Sequence, residues 1–231
     1  MKSVGIIGGI APESTIEYYR LILARHRERR RDAGNPSIII NSIDLHRMLA
    51  MIGANELDRV TVYLTAEIAR LAAAGAEFAV FASNTPHIVF TAVARASSIP
   101  MISIVEAAAG EVKRRGARKV GLLGTRFTMQ GRFYPEVFAE HGIEVVAPQG
   151  DDQSYVHDKY MSELVNASFL PETRAGLLAV VDRLRDQHAI DGIILGGTEL
   201  PLILREVEYR GMPFFDTTRI HVEEIVQRLL S

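Results

Sequence analysis

The chain has no cysteine among its 231 residues. This absence excludes disulfide bonds, thiolate metal sites and any cysteine nucleophile or base. A large excess of one sign of charge is also missing, because the formal net charge is only −2. Nothing therefore indicates nucleic acid or an anionic membrane as a partner. No apolar run approaches the roughly 20 residues of a membrane span, and the run in MKSVGIIGGI is too short for a signal peptide. Together these absences predict a cytoplasmic protein.

Short apolar runs alternate with stretches of helical spacing along the whole chain. One such stretch, Pro12–Arg30, begins with proline and ends in basic residues, as helices prefer. Alternating strands and helices predict an α/β fold with a parallel sheet and helices on its faces. The runs predicted to be strands are rich in Val and Ile: Val4–Ile7, Ser37–Asn41, Phe78–Phe81, Met101–Ile102, Val120–Leu123, Ile143–Val146, Gly192–Leu195 and Phe214–Phe215.

Two of these runs resemble two others further along the chain. VGIIGG (Val4–Gly9) resembles VGLLGT (Val120–Thr125), 116 residues later. FAVFASNT (Phe78–Thr85) resembles GIILGGTE (Gly192–Glu199), 114 residues later. Two matches at nearly one offset predict two pseudo-symmetric α/β domains, each with a parallel sheet.

The repeat also predicts where the domains lie along the chain. Residues 1–100 with 213–231 form the first predicted domain, and residues 101–212 form the second. The last segment, MPFFDTTRIHVEEIVQRLL, reads as a strand followed by a helix over Thr217–Leu230. We expect this helix to pack back on the first domain.

The four matched runs all end in small or polar residues. In parallel α/β sheets, ligands bind beyond the carboxyl ends of the strands. If the two domains face each other, hydroxyls, an amide and helix N-termini line one cleft between them, which suits a small carboxylate. The alternative is that Thr85, Thr125 and Thr198 merely cap the helices that follow them.

A nucleotide site is disfavoured. The segment GIIGGIAPES follows a predicted strand, but its glycines at 5, 8 and 9 do not make G-x-G-x-x-G. Asp44 lies beyond the end of the second strand, where it does not match the acidic residue of a dinucleotide site. A Gly-Lys-Ser/Thr phosphate loop is absent from the sequence.

Four motifs together resemble the aspartate/glutamate racemase family. They are GIIGGIAPESTIEYY near the N-terminus, SNTPH (Ser83–His87), GLLGTRFTM (Gly121–Met129) and LGGTELPL (Leu195–Leu202). The resemblance covers almost the whole chain, with the motifs in family order. It implies two pseudo-symmetric α/β domains, an amino-acid substrate between them, no cofactor, and a homodimer, which is also the commonest soluble oligomer.

The family chemistry relies on two thiols. One cysteine removes the α-proton as a thiolate, while the other donates a proton from the opposite face. Family members typically read Cys-Asn-Thr at the first strand end and Gly-Cys-Thr-Glu at the second. Here Ser83 replaces the first cysteine and Gly197 the second. A serine hydroxyl is a weak base without help and glycine offers no group, so two-thiol racemisation is predicted to be disabled.

Two further positions differ from the family pattern. Asn166 stands about where the family carries a basic residue that contacts the substrate. The Met-Gly-Pro of many members reads Ile10-Ala11-Pro12 here.

The remaining proton-transfer candidates are Glu199, His87, His46 and a Ser83 activated by a neighbour. Each histidine or glutamate has a structural alternative, such as helix packing for His87 or a favourable helix dipole for Glu199. Arg47 is a candidate ligand for a carboxylate because its planar guanidinium binds bidentately. The predicted substrate-binding residues are Ile10, Arg47, Asn84, Thr85, Thr125, Thr128, Thr198 and Asn166.

Three interpretations stay open at this point. The chain is a family member with non-thiol proton transfer on another substrate, or a non-catalytic protein that binds small carboxylates in the same cleft. A deliberate removal of both cysteines is the third, and the glycine at one of the two positions disfavours it. The histidines are scattered without metal-ligand spacing, so no metal and no cofactor are predicted.

Overall fold

The computed structural model describes residues 2–30 and 34–231 and contains two β-sheets. The first sheet has the strand order β2-β1-β3-β4, and every neighbouring pair is parallel. Its strands are β1 (Ser3–Gly8), β2 (Ser37–Ser42), β3 (Phe78–Phe81) and β4 (Met101–Ile102).

The second sheet has the order β6-β5-β7-β9-β8. Its strands are β5 (Lys119–Gly124), β6 (Glu144–Val146), β7 (Gly192–Gly196), β8 (Glu208–Tyr209) and β9 (Met212–Asp216). All pairs are parallel except β8 with β9, which is antiparallel. Without β8, the order repeats that of the first sheet, with β5 in the place of β1 and β7 in the place of β3. The predicted α/β class with two parallel sheets is confirmed.

Helices connect the strands in the described part of the chain. Two short 3₁₀ helices lie at Thr85–Val89 and Leu164–Asn166. The α-helices are α1 (Pro12–Arg29), α2 (Leu45–Gly53), α3 (Leu57–Ala73), α4 (Phe90–Ala96), α5 (Ile104–Arg114), α6 (Arg126–Gln130), α7 (Phe133–Glu140), α8 (Gly150–Ser162), α9 (Pro171–His188), α10 (Leu200–Ile203) and α11 (Thr217–Leu230).

Local sequence explains how several helices begin. Helix α1 begins at a proline, which needs no N–H partner there, and carries basic residues in its last turn. Helix α2 begins after Asp44, whose side chain accepts hydrogen bonds from the N–H groups of His46 and Arg47. Among residues 2–30 and 34–231, no helix is both long and apolar enough to cross a bilayer.

The chain divides into two compact units. Unit 1 comprises residues 1–104 and 221–231, and unit 2 comprises residues 105–220. The sequence repeat predicts these boundaries at 100/101 and 212/213. The positions differ because β4 is hydrogen-bonded to β3 in the first sheet, and β9 to β7 in the second. A two-residue strand such as β4 carries too little pattern to be assigned to a sheet from sequence.

Each unit has its own apolar core. In unit 1, Val222, Ile225, Val226 and Leu229 of α11 are buried in one cluster with residues of β1, α1 and β3. The core of unit 2 lies around β5 and β7 and includes buried residues of α8 and α9. Burying apolar side chains stabilises each unit by roughly 25 cal/mol per Å² removed from water.

Candidate functional site

In unit 1, polar side chains follow the carboxyl ends of two paired strands. Strands β1 and β3 are in register through Ile7 and Phe81, so the residues beyond them emerge at the same sheet edge. Ser83, Asn84 and Thr85 follow β3 and are all buried. Asn84 is the N-cap of the first 3₁₀ helix, yet its side chain makes no capping hydrogen bond there. Capping of this helix therefore does not account for Asn84.

The loop after β1 is fixed by close backbone approach. Gly9 has φ +80°, and a Cβ there would lie 2.8 Å from the backbone nitrogen of Ile43, so only glycine fits without strain. The N–H of Gly9 donates to Oγ1 of Thr15 (2.9 Å). Ile10, a predicted binding residue, follows in this loop and is buried.

His87 is packed inside unit 1. Its ring is stacked on Phe90, with 4.9 Å between centroids, and Nε2 accepts a hydrogen bond from the N–H of Ile104 (3.2 Å). Burial, with a smaller contribution from the nearby His221, lowers the pKa of His87 from 6.5 to about 3. The ring is therefore neutral at physiological pH, and its basic nitrogen is engaged by the backbone.

Unit 2 repeats the arrangement at the ends of β5 and β7, which are in register through Gly124 and Gly196. Thr125 follows β5 as the N-cap of α6, and its Oγ1 accepts a hydrogen bond from the N–H of Thr128 (3.3 Å). The two hydroxyls of Thr125 and Thr128 lie 3.2 Å apart. Capping thus describes Thr125, unlike Asn84 in unit 1.

The end of β7 carries a buried polar cluster. Thr198 donates a hydrogen bond from Oγ1 to Oε2 of Glu199 (3.1 Å). The same oxygen accepts a hydrogen bond from the hydroxyl of Tyr160, on α8. Burial, followed by the negative charge of Glu199, raises the pKa of Tyr160 well above its usual value of 10. The phenol is therefore a protonated donor to the carboxylate.

Two residues at this edge were not singled out from the sequence. Tyr160 reads as an ordinary apolar-face residue of a helix, one turn after Val156. Arg126 directly follows Thr125, and its N–H donates to Nδ1 of His157 (3.1 Å). Its position immediately after a strand-end threonine is the signal that could have identified it. Its partly exposed guanidinium lies 4.0 Å from Asp158 and offers a positive charge near the end of β5.

Three other predicted residues lie on helical segments, Arg47 and His46 on α2 and Asn166 in the second 3₁₀ helix. The guanidinium of Arg47 lies over the ring of Tyr63, 4.5 Å from its centroid, in a groove of about 470 Å³ between α2 and α3. His46 is exposed on α2. Asn166 is exposed in the second 3₁₀ helix, where Nδ2 donates to the carbonyl of Ser162 (3.1 Å) and closes the end of α8.

Metal binding finds no support in the described residues. Within 2–30 and 34–231, no three or more His, Cys, Asp or Glu side chains are grouped as metal ligands would be. The chemistry that the strand ends offer is that of hydroxyls, an amide, a carboxylate and a phenol.

Known proteins resemble this chain over most of its length. The family described as Asp/Glu/hydantoin racemase matches residues 7–225. A Yersinia pestis protein provisionally described as an Asp/Glu racemase is 33% identical, with both chains fully covered and a TM-score of 0.88. An aspartate racemase homologue from Pyrococcus horikoshii OT3 is 35% identical, again with full coverage, and has a TM-score of 0.82. The broad specificity amino-acid racemase RacX of Bacillus subtilis (strain 168) is 26% identical over 162 residues, 70% of this chain and 69% of that protein.

These matches agree with the four motifs and the two repeated sheets. The chain belongs to the Asp/Glu/hydantoin racemase family. The family resemblance stated from the sequence is therefore confirmed.

Proposed function

We propose that this chain binds a small amino acid or carboxylate at the carboxyl ends of its central strands, and that it does not racemise the ligand by two-thiol chemistry. One observation carries the proposal. In each sheet the two central strands end in register, and buried hydroxyl or amide side chains follow three of these four strands, namely β3, β5 and β7. The predicted cleft between the domains stays a prediction.

The ligand class follows from the donors at these edges. Asn84 and Thr85 carry N–H and O–H groups, and the hydroxyl of Thr198, which donates to Glu199, can rotate towards a ligand. The positive charge of Arg126 lies close to the end of β5. Hydrogen bonds from such donors to a carboxylate are stronger than those to a neutral acceptor. The relative RacX is named as a broad specificity amino-acid racemase, and this name supports an amino acid as the ligand of the present chain too.

The disabled reaction follows from the two cysteine positions. Ser83 and Gly197 stand where the family carries its thiols, and neither supplies a group with a pKa near neutrality. His87 does not replace them, because its ring is neutral and its Nε2 accepts a backbone hydrogen bond. The protein then retains the binding edges of a racemase without its acid–base pair.

A second candidate function is proton transfer by Glu199. It is favoured by the phenol of Tyr160, which donates to this buried carboxylate and fixes its orientation. A family member that works in this way removes the α-proton with a carboxylate in place of a thiolate. Isotope exchange at the α-carbon separates the two candidates.

The double substitution Thr85→Ala/Thr198→Ala should abolish ligand stabilisation. A panel of small amino and dicarboxylic acids is tested by denaturant unfolding. The best ligand, at 100 times its Kd, should add ~2.7 kcal/mol to the free energy of unfolding of the unsubstituted chain. Two hydroxyl hydrogen bonds to a charged ligand contribute enough that their removal weakens binding about 100-fold or more. At the same concentration the gain then falls to ~0.4 kcal/mol.

Matched variants keep this test specific. Thr85→Ser/Thr198→Ser retains both hydroxyls and should retain the ligand effect. Thr91→Ala removes an exposed threonine of α4 and should leave binding unchanged. If the best ligand stabilises the double alanine variant as much as the parent chain, the two threonines have only structural roles.

Arg47 is also part of the proposal, as a cation for the ligand carboxylate. Arg47→Gln should raise the Kd of the best ligand about tenfold to a hundredfold, because a charge-assisted hydrogen bond contributes about 1.5–3 kcal/mol. Arg59→Gln is the matched control: this residue lines the same groove but pairs with Glu56 (2.6 Å). Equal effects of the two substitutions, measured by titration calorimetry, would remove Arg47 from the site.

Three general expectations complete the proposal. A homodimer and a cytoplasmic location stay predictions, and sedimentation of the purified chain tests the first. The chain is expected to need no cofactor, so ligand stabilisation should be complete without added metal or nucleotide.

A further inference from the structure

The space beside Gly197 is already filled. A Cβ built on this residue would lie 2.7 Å from Oη and 2.8 Å from Cζ of Tyr160, and closer still to Cε2. Real Cβ atoms essentially never approach other heavy atoms below 3.0 Å. Gly197 is not among the glycines with positive φ, so its backbone does not require glycine. The obstacle to a side chain at this position is therefore the phenol ring and not a positive φ angle.

The ring is held where it lies. Tyr160 is 5% exposed and belongs to the apolar core of unit 2, together with Leu195 and Leu200. Its hydroxyl donates to the carboxylate of Glu199, which is itself buried. Moving the ring away breaks this hydrogen bond and takes a donor from a buried charge, which is costly.

We propose that Tyr160 is the residue that excludes a side chain, and hence a thiol, from position 197. Its ring takes the volume of the second family cysteine, and Glu199 anchors it there. A return to two-thiol chemistry then needs two changes in unit 2, one at position 197 and one at position 160. This inference rests on the proposed function for its meaning, but its structural claim can be tested without any ligand.

The test is a set of variants at the two positions. Gly197→Cys should lower the folded-to-unfolded ratio at least about tenfold, as overpacking a well-filled core does. In the Tyr160→Leu background, which removes Cε2, Cζ and Oη, the same Gly197→Cys change should alter that ratio by less than about threefold. Urea unfolding at fixed pH measures all four members of the cycle.

Tyr160→Phe is the matched control. It removes the hydroxyl, as Tyr160→Leu does, but keeps the ring atoms that meet the added Cβ. Gly197→Cys should therefore stay as damaging in this background as in the parent. Ser83→Cys provides a second control for the effect of a new thiol in unit 1.

The absence of native cysteine gives an independent readout, because every variant that contains Gly197→Cys carries one thiol only. The rate at which a thiol reagent modifies the introduced cysteine is measured under native conditions. This rate should be high in the parent background, where the strained variant opens easily. It should be at least tenfold lower in the Tyr160→Leu background. If Gly197→Cys is equally stable in all three backgrounds, or fails to fold in all three, Tyr160 is not the obstacle and the inference is overturned. If no carboxylate stabilises any variant, the proposed function fails. The coupling between positions 160 and 197 in the unfolding free energies still tests the inference.

Discussion

Deuterium should enter the α-carbon of aspartate and glutamate at the uncatalysed rate in the presence of this chain. Both thiol positions are vacant, and loss of one general acid or base typically lowers a rate by about 10²–10⁴. With Ser83 and Gly197 in those positions, we expect no exchange above background when the reaction is followed by proton NMR in D₂O.

Restoring the chemistry requires the thiols and the space for them. The triple variant Ser83→Cys/Gly197→Cys/Tyr160→Leu should exchange the α-proton measurably and form both enantiomers. Variants with only one of the two thiols are the controls and should be slower by about 10²–10⁴. Rapid exchange by the unaltered chain would contradict this account, and its loss in Glu199→Gln would then assign the proton transfer to that carboxylate.

Between pH 7 and pH 5 the chain should lose ~4 kcal/mol of stability through two buried histidines. Burial lowers the pKa of His87 to about 3 and that of His221 to about 4, whereas unfolded histidine titrates near ~6.5. The unfolded chain therefore binds more protons below pH 6.5, and the stabilisation, complete above that pH, is lost as the pH falls towards the folded values. Each ring contributes ~2 kcal/mol of the loss by pH 5.

Denaturant unfolding at the two pH values measures the effect. His221 is fixed between the hydroxyl of Tyr18 (2.8 Å) and the carbonyl of Ile102 (3.1 Å), so a neutral ring satisfies both contacts. In His87→Gln/His221→Gln the difference in unfolding free energy between pH 7 and pH 5 should shrink by ~4 kcal/mol, and by ~2 kcal/mol in either single variant. His46→Gln, at an exposed position, should leave the difference unchanged. A pH dependence that survives in all variants would place the acid-sensitive groups elsewhere.

The strand ends were predictable because their causes are local. An apolar run that stops at glycine and is followed by polar residues predicts a buried strand with a functional edge. The positions of Asn84, Thr85 and Thr198 after their strands follow from that pattern alone. Only the family motifs identify Ser83 and Gly197 as the positions of the two cysteines, since nothing in a serine or a glycine by itself indicates a missing thiol.

What sequence could not provide are contacts made by tertiary packing. Tyr160 and Gly197 are 37 positions apart, and only the packing of α8 on the end of β7 brings the ring against the glycine. His221 contacts Tyr18 across 203 positions. The guanidinium of Arg47 lies over the ring of Tyr63 on the neighbouring helix α3, and sequence spacing does not show this contact between helices.

The return of α11 to unit 1 has a consequence for the order in which the molecule is made. The apolar side chains of Val222, Ile225, Val226 and Leu229 fill a core whose other walls, from β1, α1 and β3, leave the ribosome far earlier. Until those late residues emerge, the early walls expose an apolar surface to water, whereas all of unit 2 has already been synthesised. Unit 2 therefore precedes the last part of unit 1 along the chain, and the core of unit 1 is completed by a helix separated from its partners by an entire intervening domain.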